Sequence, residues 1–173
     1  MKIVYIPALF FVAFLFSNLA MAQPGKYAAP EFKKLIETEF TDENNIPELK
    51  GYQLHESTLL NSIDDPERLF LSVYAKGTGR VVIFSALTDT LKYVFKILDV
   101  LSLKDVRGGL EFKSVTCRLN KIENSEIVAL VKPVEKAYFT DIKKAWICDW
   151  GKRTFRAIPV KKIDCLNEGY EQF

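Results

Sequence analysis

The chain has 173 residues, of which 24 are basic and 22 acidic, and its formal net charge is +2 at pH 7. A charge so close to balance provides no electrostatic basis for binding nucleic acid or an anionic membrane, since both require a clustered basic surface. The length suits one domain with its own core, and no repeat, low-complexity tract or Ser/Gly-rich linker divides the chain.

Residues 1–22 have the three parts of a secretory signal peptide. A basic Lys2 is followed by an apolar run, residues 3–16, and then by Ala20, Met21 and Ala22, which form a small-residue cleavage site. The apolar run is shorter than the roughly 20 residues that a helix needs to cross a bilayer. We therefore expect cleavage after Ala22, no transmembrane anchor in the mature protein, and a periplasmic or secreted location.

The first part of the mature chain is predicted to contain a flexible lead-in and one short helix. Residues 23–30 hold two prolines and a glycine, which indicates the lead-in. Residues 31–40 place apolar side chains at helical spacing, namely Phe32, Leu35, Ile36 and Phe40. Residues 51–55 are expected to open a first strand, and the composition of residues 61–67 is that of a turn.

A hairpin over residues 69–87 is the strongest structural signal in the chain. Residues 69–75 and 81–87 are rich in Val, Ile, Leu and Phe on both faces, which is typical of strands covered on both sides of a sheet. Gly77 and Gly79 lie between them and supply the positive φ angles that a tight hairpin loop needs. Residues 91–103 fit both a strand and a helix, and their β-branched and aromatic content favours a strand.

The second half of the chain is predicted to alternate strands with one more short helix. Residues 111–119 and 126–131 are read as strands joined by a hairpin loop at residues 120–125. A stripe at residues 138–146 indicates a helix capped by Thr140.

Residues 146–158 are predicted to form a final hairpin across Gly151, followed by a polar tail. The resulting fold class is α+β: a mostly antiparallel β-sheet covered by one or two short helices, in a single domain over residues 31–173.

Three cysteines, Cys117, Cys148 and Cys165, all lie in the second half of the chain. In an oxidising compartment they predict one disulfide and one leftover thiol. We favour a Cys117–Cys165 bridge, because it would tie the tail back onto a strand. A Cys148–Cys165 bridge is the main alternative, although Cys148 lies in the apolar stretch AWICDW, where a free cysteine is commonly buried.

Four stretches resemble a group of small exported bacterial proteins: SVTC at residues 114–117, EIVALV at 126–131, TDIKKAW at 140–146 and IDCLNEGY at 163–170. The resemblance covers roughly the last third of the chain. In that group the cysteines that match Cys117 and Cys165 recur, which supports their pairing, whereas Cys148 departs from the pattern. The resemblance implies an envelope location and no particular activity.

Catalytic patterns are weak throughout the sequence. His55 is followed by Glu56, but no second histidine completes a zinc-protease motif. Asp64 and Asp65 fall in a turn, and Asp141 is expected at the start of a helix, so each has a structural explanation. The cysteines form no C-x-x-C motif, and Asp149 beside Cys148 opposes thiolate formation. We expect no metal, no cofactor and no catalytic residue.

The best candidate binding surface is a region that mixes aromatic and basic side chains between residues 132 and 156. Such side chains carry much of the energy at protein interfaces. The candidate residues are Tyr138, Lys143, Trp146, Trp150 and Arg153.

Together these features favour an exported, non-catalytic binding protein of the bacterial cell envelope, of the inhibitor or immunity type. Its partner would be another envelope or secreted protein. Two alternatives stay open at this point: an envelope hydrolase that uses an unrecognised pair of carboxylates, and a small-ligand carrier with a pocket under its sheet.

The signal peptide predicts the mature terminus. We expect exported protein to begin at Gln23, because the small residues at Ala20 and Ala22 define the cleavage site. Intact-mass measurement and N-terminal sequencing of exported material test this. Retention of Met1 would contradict it.

Overall fold

The computed structural model describes residues 23–170, so the predicted signal peptide lies outside the described part of the chain. About 49% of the structure is strand and 7% is helical. No helix among the described residues is long and apolar enough to cross a membrane. One short helix, α1, spans Pro30–Lys33. The strands, in chain order, are β1 Glu39–Phe40, β2 Gln53–Leu59, β3 Arg68–Lys76, β4 Gly79–Asp89, β5 Val94–Leu103, β6 Glu111–Ser114, β7 Cys117–Leu119, β8 Ile122–Glu123, β9 Ile127–Lys132, β10 Tyr138–Phe139, β11 Asp141–Asp149, β12 Thr154–Ala157 and β13 Ile163–Leu166.

The strands form three antiparallel sheets. Sheet I has the order β1-β5-β4-β3-β2, sheet II the order β12-β11-β9-β6, and sheet III the order β10-β13-β7-β8. The expected α+β class is therefore wrong, because no helix of seven or more residues covers a sheet in residues 23–170. The antiparallel pairing itself is as expected, since short connections cannot make parallel crossovers.

Sheet II lies between the other two sheets. One apolar cluster joins sheet I to sheet II and includes Leu71, Phe84, Trp146 and Phe155. A second cluster joins sheet II to sheet III around Cys117 and Cys165. The outer face of sheet I is covered by a third cluster, contributed by the chain before β2. Each sheet thus buries at least one apolar face against a neighbouring layer, which is how sheets gain most of their stability.

The predicted central hairpin is confirmed as β3 and β4. Their register runs from Arg68 opposite Leu87 to Lys76 opposite Gly79. Gly77 has a φ of 56°, which supplies the reversal that the hairpin loop needs. Both faces of this pair are buried, one against sheet II and one under the N-terminal segment. The run of apolar residues on both faces is therefore explained by two covering layers.

Residues 91–103 contain a strand, β5, as their composition indicated. A β-bulge shifts the register between Phe84 opposite Asp99 and Ser85 opposite Ile97. The bulge places an extra residue in β5, so residues three apart, such as Leu98 and Leu101, pack in the same cluster. This spacing produced the apparent helical pattern.

The helix predicted at residues 138–146 is wrong, and a similar bulge explains the error. These residues form β10 and β11, and the register of β11 with β9 shifts between Ile142 and Lys144. Ile142 and Ala145 therefore face sheet III together, while Trp146 and Cys148 face sheet I. A strand with a bulge imitates the three-residue spacing of a helix. The final hairpin, β11 with β12, is confirmed.

The helix predicted at residues 31–40 shortens to α1. Glu37 adopts a positive φ of 71°, which ends the helical turns. Its backbone amide then donates to the carbonyl of Ile97, and β1 pairs with β5 at Phe40 opposite Phe95. Edge pairing with sheet I therefore replaces a helix that is too short to be stable by itself.

The strand predicted over residues 111–119 is interrupted at Val115, which has a φ of 50°. Residues before this point form β6 in sheet II, and residues after it form β7 in sheet III. A β-branched residue rarely adopts a positive φ, so the kink is strained and is held by the packing around it. The predicted hairpin loop at residues 120–125 is wrong as well, because it contains β8, paired with β7.

A buried carboxylate, Asp99, joins three layers of the fold. Its Oδ1 accepts from the backbone amides of Gly25 (2.6 Å) and Val100 (2.8 Å). Its Oδ2 accepts from the hydroxyl of Thr154 and from the amide of Phe155 (2.7 Å). The side chain has no solvent exposure. A carboxylate in this environment is tolerated only because donors satisfy both oxygens.

The segment of residues 23–30, predicted to be a flexible lead-in, is packed against the rest of the chain. Gly25 adopts a φ of 76°, and an added Cβ would lie 2.9 Å from the side chain of Ile36. The Tyr27 ring meets Trp146 edge-on, with centroids 6.2 Å apart, and Ala28 and Ala29 are buried. This segment forms part of the layer that covers sheet I.

Removing the Asp99 carboxylate is expected to destabilise the fold severely. Asp99→Ala removes the acceptor of four buried donors, at a cost of about 3 kcal/mol or more in the free energy of unfolding. Urea unfolding measures this. The control Asp64→Ala removes an exposed carboxylate and should change the free energy by about 0.5 kcal/mol or less. Equal effects of the two substitutions would contradict the structural role of Asp99.

Candidate binding surfaces

The candidate surface expected from the sequence is not formed as one patch. Trp146 is 6% exposed and packs between sheets I and II, so it belongs to the core. Lys143 is exposed on β11 and pairs with Asp141. An extended chain rises ~3.3 Å per residue, which places Lys143 roughly 20 Å from Trp150.

The remaining candidate residues lie in different parts of the fold. Trp150 and Arg153 occupy the turn between β11 and β12, where Trp150 is 39% exposed and Arg153 pairs with Glu67. Tyr138 lies on sheet III, where its ring stacks under the guanidinium of Arg118 at 3.4 Å. The structure therefore brings Trp150 and Arg153 together and separates them from Tyr138.

The predicted disulfide is confirmed. Cys117 on β7 and Cys165 on β13 are bonded and lie opposite each other in the register of sheet III. Cys148 is a free, buried cysteine. Burial raises the pKa of its thiol, and the nearby charges of Glu126 and Asp99 raise it further. The thiol is therefore a packing group and a poor nucleophile.

The groups considered for catalysis from the sequence, His55, Asp64 and Asp65, lie on an edge strand and in a turn. His55 is exposed on the edge strand β2, and Asp64 and Asp65 lie in the turn that follows. Within residues 23–170, no group of three His, Cys, Asp or Glu side chains could hold a metal ion. Burial raises the pKa of Glu126, and the charge of Asp149 adds to this effect.

A cluster of aromatic side chains lies on the outer face of sheet I. Phe40 stacks on Phe95 with centroids 5.5 Å apart, and Phe70 meets Phe95 edge-on at 5.3 Å. All three rings are half-buried. Leu91 and Tyr93, which are 91% and 65% exposed, lie in the tip of the β4–β5 hairpin, a few residues before Phe95. We call these five residues the aromatic surface.

The strand register explains how the aromatic surface forms. Phe40 lies opposite Phe95, and Phe95 lies opposite Leu87 across β4. Phe70 lies opposite Ser85, which is two residues from Leu87 and hence on the same face. Sequence reasoning missed the surface because its rings come from three distant strands. The signal available in the sequence was the presence of two large apolar residues, Leu91 and Tyr93, in the turn before β5.

The hairpin tip is held in a defined shape and has a polar rim. Asp89 accepts hydrogen bonds from the backbone amides of Leu91 (2.9 Å) and Lys92 (3.0 Å), which fixes the turn. Lys92 is exposed. Charges of both signs, from Asp89 and Lys92, therefore lie in the hairpin tip.

A cavity of about 470 Å³ adjoins the aromatic surface. It lies between β1 and a segment that we call the strap, residues 41–52, which contains the 3-10 turns Glu43–Asn45 and Pro47–Leu49. Backbone hydrogen bonds such as Leu49 N to Ile46 O (3.0 Å) close turns within the strap. Buried Ile46 and Leu49 anchor the strap to the outer face of sheet I.

Sheet III contains an ion cluster centred on the buried Asp164, with Arg118 half-buried and Lys121 exposed. Asp164 accepts from Arg118 through Nε (2.8 Å) and Nη2 (3.1 Å), and it also accepts from Lys121. Burial by itself would raise the pKa of Asp164, but the hydrogen bonds from Arg118 and Lys121 outweigh burial and lower the pKa. The cluster joins β7 to β13 close to the disulfide.

The lowered pKa of Asp164 predicts an acid-dependent loss of stability. The cluster stabilises the fold fully above the unfolded-state pKa of about 4, and this contribution falls as the pH drops through the lower folded-state pKa. Urea unfolding at pH 7 and pH 3 should show a smaller difference for Asp164→Asn than for wild type. The control Asp64→Asn changes an exposed carboxylate that makes no ion pair within residues 23–170, and it should retain the wild-type dependence. An unchanged acid dependence in Asp164→Asn would contradict the prediction.

The fold and these surfaces were compared with known proteins. No protein-family model, curated protein or solved structure matches the chain.

Proposed function

We propose that the chain is an exported, non-catalytic binding protein of the bacterial cell envelope, of the inhibitor or immunity type. In this proposal it contacts another envelope or secreted protein through the aromatic surface. The observation that carries the proposal is the cluster of Phe40, Phe70 and Phe95, half-exposed on a sheet face beside the exposed Leu91 and Tyr93.

The composition of the aromatic surface supports a protein partner. Aromatic side chains are enriched at the centres of protein interfaces, where they are surrounded by a polar rim. Here the hairpin tip that carries Leu91 and Tyr93 also carries the charged residues Asp89 and Lys92. Mixed charge of this kind suits a protein surface better than an anionic bilayer, which attracts clustered basic residues.

The rigidity of the aromatic surface also supports binding. The three phenylalanines are carried by hydrogen-bonded strands, and the Asp89 contacts fix the hairpin tip. A surface already held in its binding shape loses little conformational entropy when a partner docks.

Two features support export as part of the proposal. Residues 1–22 have the pattern of a cleavable signal peptide. The Cys117–Cys165 disulfide is of a kind that persists in oxidising compartments such as the periplasm.

Charge introduced at the hairpin tip should abolish partner binding. The double substitution Leu91→Asp and Tyr93→Asp places two carboxylates where the apolar contact is expected, and both side chains are exposed, so the fold should be retained. We expect at least about a tenfold loss of affinity for a stoichiometric protein partner. Cross-linking and quantitative co-purification of mature protein from the envelope fraction measure this.

The matched control is Ile63→Asp, which changes an apolar side chain that is 58% exposed in the turn before β3. This variant should capture the same partner as wild type. Absence of any partner with folded bait, or equal capture by the Leu91→Asp/Tyr93→Asp variant, would contradict the proposal.

A further inference from the structure

Another cavity, of about 670 Å³, lies between the strap and the start of β2. Its walls are formed by most of the strap, by the first two residues of β2 and by Tyr74 of β3. We call it the Tyr74 cavity. Its volume falls within the range of about 300–1,000 Å³ that is typical of sites for small molecules.

A buried tyrosine presents its hydroxyl to this cavity. Tyr74 is only 3% exposed. The hydroxyl of nearby Ser72 pairs with that of Ser57 at 2.9 Å, and no hydrogen bond of ordinary geometry joins Ser72 to Tyr74. In residues 23–170, Thr116 Oγ1 is the only side-chain polar atom that is both unpaired and sealed from solvent, so the unpaired Tyr74 hydroxyl opens onto the cavity. A hydroxyl in this position gains a hydrogen bond when a ligand brings an acceptor.

The strap places an acceptor close to this donor. Glu43 lines the cavity, is half-buried and makes no ion pair within the described residues. Burial raises the pKa of Tyr74, and the charge of Glu43 raises it further, so the phenol keeps its proton. Asn45 also lines the cavity, and its amide can both donate and accept. The cavity therefore offers donors and acceptors side by side.

The outer face of sheet I adds an apolar wall. Leu54 lies opposite Tyr74 in the register of β2 and β3, so the two side chains are on the same face. Leu54 is 45% exposed and lines the cavity. Tyr52, two residues earlier, packs on the same apolar cluster as Tyr74 and also lines the cavity. A ligand can thus place apolar atoms on Leu54 and Tyr52.

The charges around the Tyr74 cavity favour a neutral ligand. Glu43 and Lys50 both line it, and Lys76 Nζ lies 3.5 Å from the carbonyl oxygen of Lys50. Neither sign of charge has the cavity to itself, so a charged ligand would not recover the cost of leaving water. A sugar ring is neutral, has apolar CH groups on its faces, and carries adjacent hydroxyls that each donate and accept.

We propose that the Tyr74 cavity binds a neutral sugar residue. The CH groups of the sugar pack on Leu54 and Tyr52, one hydroxyl accepts from Tyr74, and a neighbouring hydroxyl donates to Glu43. This inference goes beyond the proposed function and is independent of it, because the Tyr74 cavity and the aromatic surface share no residue.

The probes for the test are the methyl glycosides of glucose, galactose, mannose and N-acetylglucosamine. In ¹⁵N–¹H correlation spectra of the mature protein, at least one should cause saturable shifts of the amides of residues 43–46 and 52–54. Cyclohexanol, a ring of similar size without adjacent hydroxyls, should cause none. Failure of all four glycosides to bind, or equal shifts with cyclohexanol, would overturn the inference.

Two conservative variants test the polar contacts. Tyr74→Phe removes only the hydroxyl, and it should weaken binding of the active glycoside about fivefold, as expected for one hydrogen bond. Its urea midpoint should match wild type, because the hydroxyl has no partner in the free protein. Glu43→Gln should weaken binding about tenfold, since the carboxylate accepts a charge-assisted hydrogen bond.

The matched controls are Tyr170→Phe and Glu135→Gln, which change exposed residues at a different cavity. Both should retain the wild-type affinity for the glycoside. Equal affinities in Tyr74→Phe and Tyr170→Phe would contradict the proposed contact with the phenol.

Trisaccharides of the active sugar identify its source. Tighter binding of the trisaccharide than of the methyl glycoside indicates a residue of a glycan chain, and equal binding indicates a free sugar. The hairpin-tip variant Leu91→Asp/Tyr93→Asp should bind the glycoside as wild type does, so a failure of the proposed protein partner and a failure of the sugar site are distinguishable. Loss of glycoside binding in that variant, with its fold retained, would overturn the assignment to the Tyr74 cavity.

Discussion

The layered arrangement depends on one carboxylate buried inside β5. Asp99 receives donors from the segment before α1, from its own strand and from β12 of sheet II, so a single side chain fixes three layers relative to one another. Apolar packing between sheets is weakly directional, whereas a buried carboxylate is tolerated only in a geometry that satisfies both oxygens. The hydrophobic clusters therefore hold the layers together, and Asp99 selects one arrangement of them.

The outer face of sheet I has one covered end and one uncovered end. One end is covered by the N-terminal segment and the strap, which bury their apolar side chains on the sheet. The other end is not covered, and it consists of Phe40, Phe70, Phe95 and the hairpin tip. The strap cavity lies at the boundary between the covered and uncovered ends. The proposed binding function depends on this apolar surface, which the strands hold in place.

The errors in the sequence-based prediction have a common physical cause. Periodicity was read correctly wherever a strand was regular, as in β3 and β4. Bulges in β5 and β11 place residues three apart on one face, which has the same pattern as a helix. In β11 this pattern was interpreted as a helix, and in β5 the β-branched composition gave the correct assignment. At Val115 the chain crosses from sheet II to sheet III through a strained kink. No sequence pattern predicts a positive φ at a valine, so the kink could not be foreseen.

The sequence by itself determined the central hairpin, the strand character of residues 94–103, the final hairpin and the favoured Cys117–Cys165 pairing, because these depend on local patterns or on few alternatives. It also suggested a candidate binding surface, but the exposed residues of that surface lie in separate parts of the fold. Only the tertiary structure decided that Trp146 belongs to the core and that Phe40, Phe70 and Phe95 meet. Strand register brings distant residues together, and register is fixed by long-range packing that a local pattern does not contain.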